Sequence, residues 1–498
     1  MTHKILFKLL VISLLFFVGC SEDERLVRNP SPEEPSDITI KEGINLVGKL
    51  MDGNNPVVGA VVSDGYSTVI TDAEGIYQLK ADKLAKFVFV SIPADYAIPL
   101  ENGLPKIYQE LGTDRTKVLR KDFALKKQAI VNKFQLLALA DVQIGQSVEL
   151  NWLRQTEVPL IRDYVKTMKS ESPVYGISLG DLVWDNMTYF TEYANEMKRL
   201  EIPLFQVIGN HDHDRTVIGN DSRAAYQFES NFGPTYYSYN IGDCHFIVLD
   251  NVNYNGHSDY SAHITQNQLD WLKEDLRHVS KDKLIILGTH IYTSRRDRPN
   301  LGTSNKEELY KLLEGYKVRI LTGHLHNNRM TTINQNIEEN NLGSVMGAFW
   351  NYLCNDGSPR GYAVYEIEGN KIKNWYYKGT DQTKDYQIKI YKPGQAVTES
   401  RKDGIIVNVF AWHTDWTVKV YENGVYKTTL TENLRFEMDR DAYDAYFGDD
   451  KPAHRPSAEP EAYNDHMFYY KPTVTKGVTI KVEAIDSNGN KYTESVIL

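Results

Sequence analysis

Leu204-Phe205-Gln206-Val207-Ile208-Gly209-Asn210-His211-Asp212 runs a short, mostly apolar stretch into a turn of glycine, amide, imidazole and carboxylate. An apolar run of this length bounded by turn residues reads as a buried strand. Such strands end at one rim of a sheet, where side chains distant in sequence meet. The same unit recurs along the chain. Residues 136–140 lead into Asp141-Val142-Gln143, 174–179 into Gly180-Asp181, 245–249 into Asp250-Asn251, 284–287 into Gly288-Thr289-His290, and 318–321 into Gly323-His324-Leu325-His326. The expected active site is therefore a rim of strand ends.

Carboxylate, amide oxygen and imidazole together suit divalent first-row metals, and with three cysteines in the whole chain a thiolate-based structural zinc knot is not expected. One aspartate can bridge two cations, which then clamp a phosphate and activate a water. The spelling of the turns, in this order over about 134–330, resembles the calcineurin-like metallophosphoesterases. That resemblance implies a binuclear centre in which Asp141, Gln143, Asp181 and His326 hold the first cation, Asp181 bridges, and Asn210, His290 and His324 complete the second. It also implies that His211 binds the phosphoryl oxygen and protonates the leaving group, oriented by Asp212. Gln143 stands where many members have histidine. Its neutral, harder oxygen favours manganese or magnesium over iron or zinc, manganese first. Asp185 comes one residue later than in the family's tightest spelling and is expected to support the site without being a ligand. Asp250 and Asn251 match no family ligand and read as structural.

Around these turns the pattern is β/α. Residues 151–169 carry Val158, Ile161, Val165 and Met168 at helical spacing, and Thr265 to Gln268 spells a capping box ahead of Leu269, Leu272, Leu276 and Val279. Alternating strands and helices indicate a layered α/β domain, which the resemblance sharpens to a four-layer α-β-β-α sandwich. A chain of 498 residues is too long for one core. Residues 38–126, rich in valine, glycine and turn signals, read as an N-terminal β-sandwich and resemble the carboxypeptidase-regulatory-like module. Residues 127–340 form the expected metallophosphoesterase domain. Residues 341–498 form a C-terminal β-rich domain with strands at 404–410, 417–421 and 479–485 and a long surface loop at 443–466.

For substrate contacts the sequence offers Arg295, Arg296 and Arg298 beyond His290, since an arginine fork grips phosphate oxygens. Trp350, Tyr352 and Asp356 are expected to lean over the cations from the C-terminal domain. A net charge of −10 provides no field for steering the chain onto nucleic acid, so a small phosphorylated substrate is expected. The expected activity is phosphomonoesterase or phosphodiesterase; the alternative is a non-catalytic surface binding lipoprotein on the same scaffold. No Ser-His-Asp nucleophile motif, glycine-rich nucleotide fingerprint or P-loop accompanies these signals.

Residues 1–8 are basic, 9–19 form a short apolar run, and Phe17-Val18-Gly19-Cys20 resembles a lipoprotein signal-peptidase box. The expectation is a signal peptide over 1–19, lipidation of Cys20 and a flexible tether over 20–37. Ser21-Glu22-Asp23-Glu24 is similar to the acidic signal that exports some Gram-negative lipoproteins to the cell surface. The chain is thus expected in the cell envelope, at the outer membrane, touching membrane through its anchor alone. Cys244 and Cys354 are expected as unpaired thiols.

Overall fold

The computed structural model describes residues 37–348, 353–434, 436–449 and 459–498. Its centre is two sheets, and the six strand-turn units are divided three to each. In the first sheet Lys133–Leu139, Val174–Leu179 and Leu204–Val207 run parallel. In the second, Cys244–Val248, Leu284–Gly288 and Lys317–Thr322 do the same. Parallel pairing puts all three strand ends of each sheet on the same side, which creates the rim.

Alternation along Lys133–Leu139 shows why the sheets stack. Leu136 and Ala138 join the core between the sheets with Phe246, Ile286 and Ile320. Leu137 and Leu139 face the other way, into a second core with Val158, Ile161, Val165 and Met168 of the helix Val158–Lys169. The helical stripe expected at 151–169 is thus the outer layer on the first sheet. Pro159 has no N–H for the preceding turn, and the chain before it opens into a π-helical turn at Leu153–Glu157. On the far side, Leu269, Trp271 and Leu272 of the helix Gln266–Asp275 pack in the core that holds the second sheet. The result is the α-β-β-α core, with β-rich flanks.

Three local expectations need correction. Thr265 begins the helix, but the capping box does not close. Gln268 donates to Asp250 O at 2.8 Å and to Thr265 Oγ1 at 3.3 Å and accepts from Asp250 N at 2.9 Å, so its amide braces the helix against a strand end and reaches the cap hydroxyl, not the cap backbone N–H. Residues 443–447, expected in a surface loop, belong to the helix Arg440–Phe447. It forms there because the Asp439 carboxylate accepts from Asp441 N and Ala442 N while Ala442 is buried. Finally, the first sheet continues through Gly361–Glu368, antiparallel to Lys133–Leu139, and Lys371–Gly379. Two strands beyond residue 340 therefore complete the central fold.

The N-terminal region contributes a five-stranded sheet around Leu46–Asp52 and a four-stranded sheet containing Phe87–Ser91. The C-terminal region adds a three-stranded sheet around Ile405–Val409 and a four-stranded one containing Thr417–Glu422 and Thr479–Ile485. Cys244 and Cys354 are free and buried. The signal segment, Cys20, Trp350 and Tyr352 lie outside the described residues.

Candidate metal centre and active site

Backbone strain marks the rim before any side chain is considered. Among the described residues, Asp141, Gln143, Asp181, Asp185, His324 and His326 all have positive φ, between 51° and 72°. That is half of the twelve non-glycine residues in this region of conformational space. Left-handed backbone costs on the order of 1–3 kcal/mol per residue and persists where surrounding structure imposes it, typically at functional sites. Two glycines are required by close approach. A Cβ on Gly209 would lie 2.1 Å from Asp181 N and 2.2 Å from its Oδ1, and one on Gly323 would lie 2.5 Å from Asp141 Oδ2.

Asp181, His290 and His324 offer ligand atoms that all lie within 4.8 Å of one another. His290 donates through Nδ1 to Leu179 O at 2.7 Å, so the opposite nitrogen is the one presented to the site. That Nε2 sits 3.1 Å from Asn210 Oδ1 and 3.3 Å from Asp181 Oδ1. His324 Nδ1 lies 3.0 Å from the same Asn210 oxygen. Burial opposes charge on His290, but the Asp181 carboxylate beside it holds its pKa up at about 9. Burial and the neighbouring His290 push His324 down to about 3. Asp181 is buried, yet His290 and His211 hold its carboxyl well below the ordinary range. Two imidazole nitrogens, an amide oxygen and a carboxylate facing one point form a donor set that fits a divalent cation.

The other expected ligands adjoin this group. His326 Nε2 lies 3.3 Å from Asp141 Oδ1, and its Nδ1 is buried without a hydrogen-bond partner. Both oxygens of Asp141 accept from His324 N at 3.0 Å. Gln143 Nε2 donates to Asp181 Oδ2 at 3.0 Å, so here the amide presents its nitrogen to the shared aspartate. Turning the amide by half a revolution would exchange its two ends.

His211 is oriented by a different acid from the one expected. Its Nδ1 lies 2.9 Å from Asp185 Oδ1, and Arg215 donates to the other Asp185 oxygen at 3.1 Å. Trp184 stacks on the His211 ring at 4.1 Å. Asp212 instead accepts from Val183 N at 3.0 Å and Gly209 N at 2.8 Å, holding two ligand-bearing turns together. Burial and the Asp181 charge raise Asp212 to about 7. The extra residue in Asp181-Leu182-Val183-Trp184-Asp185, with Asp185 itself left-handed, carries that carboxylate to the imidazole.

The expected substrate contacts are arranged differently. Arg295 is buried and grips Asp297 through two hydrogen bonds, and Arg296 pairs with Asp465 while lying over Trp412. Asp356 is buried, accepting from Asn328 N at 2.7 Å and Ser358 N at 2.9 Å, with His466 Nε2 at 3.2 Å. These three side chains are held by protein partners. Several residues near the site carry no ligand-like spelling. Asn251 accepts from Ile291 N at 3.0 Å and so holds the residue after His290. Asn355 donates to Leu325 O at 2.8 Å, between the two histidines of the last turn. Tyr260 and Tyr292 flank His324.

Residues 134–328 match the family described as calcineurin-like phosphoesterase; 44–128 and 339–492 match those described as its N terminal and C terminal. No curated protein matches the chain. Among solved structures, a dimetal phosphatase from Danio rerio is 16% identical over 47% of this chain and 93% of its own, with a TM-score of 0.34. Purple acid phosphatase from yellow lupin, Lupinus luteus, is 14% identical over 52% of this chain and 55% of its own, with a TM-score of 0.38. A 5′-nucleotidase from Candida albicans is 13% identical over 50% and 52% respectively, with a TM-score of 0.32. The chain thus spans about half the length of the latter two.

Proposed function

We propose that the chain, whose calcineurin-like phosphoesterase domain lies between regions matching the N- and C-terminal modules described for such enzymes, is a metallophosphoesterase that hydrolyses small phosphoesters with two divalent cations while anchored in the cell envelope by a lipidated Cys20. The observation that carries the activity is the convergence of Asp181, Asn210, His290 and His324 on one point. The proposed second set, Asp141, Gln143 and His326, is supported by its contacts to the first through Asp181 and His324.

When bound, divalent cations neutralise phosphoryl oxygens and lower the pKa of a coordinated water. The chain's own part is orientation and proton transfer. With its Nδ1 taken by Asp185, His211 has Nε2 available for the phosphoryl oxygen and the departing alkoxide. Stacking on Trp184 limits rotation of the ring. Asp185, itself held by Arg215, positions the imidazole and stabilises its charged form. Asp212 keeps the turn that carries His211 against the one that carries Asp181.

The test uses purified chain assayed with manganese on p-nitrophenyl phosphate and on its bis ester. Chelation is expected to abolish turnover and added manganese to restore it, with oxygen from labelled water appearing in the phosphate. His211→Ala is expected to lower kcat by about 10²–10⁴-fold. Absence of turnover on every phosphoester tried, with cations bound, would sink the reading. For the anchor, Cys20→Ala is expected to release the chain from the membrane fraction and abolish incorporation of labelled palmitate; retention of both would refute it.

A further inference from the structure

A hairpin that carries no predicted ligand stands against the cation site. Val252–Gly256 and Asp259–Ala262 pair antiparallel around His257 and Ser258, both left-handed, as a tight turn requires. It packs on Ile291 and Tyr292, just beyond His290, and on Ala224 and Val217 of the segment that follows His211. The hairpin therefore touches the segments beyond two site residues at once.

Tyr254 and Tyr260 are directly paired across its strands, so their side chains share one face. They are used differently. Tyr254 is buried, stacks on His213 at 4.8 Å, and its hydroxyl accepts from Ser258 N. It is a packing residue. Tyr260 is only partly buried, sets its ring edge-on to His324 at 5.9 Å, and among the described residues its hydroxyl makes no hydrogen bond. Tyr292, also partly buried, lies 6.5 Å from His324. The nearby guanidinium groups of Arg295 and Arg296 are already paired with Asp297 and Asp465. What this wall offers a substrate is therefore aromatic surface, with little free positive charge.

We propose that Tyr260, with Tyr292, is a specificity residue that receives a flat, unsaturated ring carried by the alcohol half of the phosphoester, such as a nucleobase or an aryl group. Offset and edge-to-face ring contacts favour such a group over an aliphatic one. The inference rests on the rim being a phosphoesterase site, and it goes further by naming the class of ester.

The test compares nucleoside 5′-monophosphates with ribose 5-phosphate, together with the methyl diesters of both. Within each pair the phosphate sits on the same primary hydroxyl of ribose, and the members differ in the base that replaces the anomeric hydroxyl. The wild-type chain loaded with manganese is expected to favour the ring-bearing ester in kcat/KM. Tyr260→Ala is expected to reduce that preference about 3- to 10-fold, chiefly through KM, and Tyr260→Phe to preserve it. Tyr292→Leu should move the same ratio in the same direction, which keeps the test decisive should Tyr260→Ala fail to fold by circular dichroism. Equal wild-type rates on the two esters, or variants that lower both equally, would overturn the proposal. Failure to turn over either pair with cations bound would instead remove the phosphoesterase reading beneath it.

Discussion

Asp185 and Asp212 lie on either side of one imidazole's chemistry, and the structure gives them different tasks. Asp185 faces the His211 ring, whereas Asp212 accepts backbone amides and has no ring to orient. Asp185→Asn is accordingly expected to lower kcat by about 10- to 100-fold while manganese content stays at the wild-type level, measured by steady-state kinetics beside metal analysis. A parallel loss of metal would show that Asp185 acts on the ligands and not on His211. Gly209→Ala is expected to do the reverse. Its methyl group would collide with Asp181 N and Oδ1, so manganese binding should fall before any effect on the remaining turnover can be read. At this scale the donor types were legible because a glycine-led polar turn after an apolar run is spelled locally. Which acid orients His211 was not, because it depends on a left-handed residue and one extra position in the turn.

Elements hold the site through contacts that local spelling does not show. The turn after residue 352 supports the last histidine-bearing loop: Asn355 N donates to His326 O at 3.1 Å, its side chain donates to Leu325 O, and Asp356 accepts from Asn328 N. Asn355→Ala should therefore weaken manganese affinity by about 10- to 100-fold with little change in the melting temperature of metal-free protein, by isothermal titration and thermal scans. The strand Ile337–Asn341 supports the loop beyond His290 in the same way, with Glu339 accepting from Thr293 N at 2.7 Å and Ser294 N at 3.2 Å. Burial raises Glu339 from 4.5 to about 7. A raised carboxyl pKa means the folded state binds the proton more tightly, so this contribution to stability is full below the unfolded value and is lost as pH rises through the folded one. Urea unfolding of the wild type should lose on the order of 3 kcal/mol from this group between pH 4.5 and 7, and Glu339→Gln should flatten that slope. An unchanged slope in the variant would assign the pH dependence elsewhere.

At the scale of the whole molecule, the N-terminal sheets are part of the same core as the second central sheet. Trp271 is fully buried, meets Phe89 edge-on at 6.0 Å and donates from Nε1 to Ser63 Oγ at 3.1 Å. Beside it, Ser238 bonds both Ser91 and Asp275, and Asp275 also meets His245 at 2.8 Å. Removing Trp271 opens a cavity in this seam, so Trp271→Ala should cost about 3–5 kcal/mol, read by chemical denaturation. Because the seam joins both regions, near-ultraviolet and far-ultraviolet signals should shift together; separate transitions would argue that the N-terminal sheets fold by themselves.

From its residues alone the chain determines where the buried strands end and which donor types stand there. Run length, glycine placement and ligand identity are properties of a few consecutive positions. Folding decided the rest: Asp185 in place of Asp212 beside His211, the arginines paired with Asp297 and Asp465, the strands at 361–379 completing the first sheet, and Tyr260 of a ligand-free hairpin set beside His324. Each of these depends on distances between segments far apart in the chain and on strained backbone at the junctions, and neither is encoded in any short stretch of sequence.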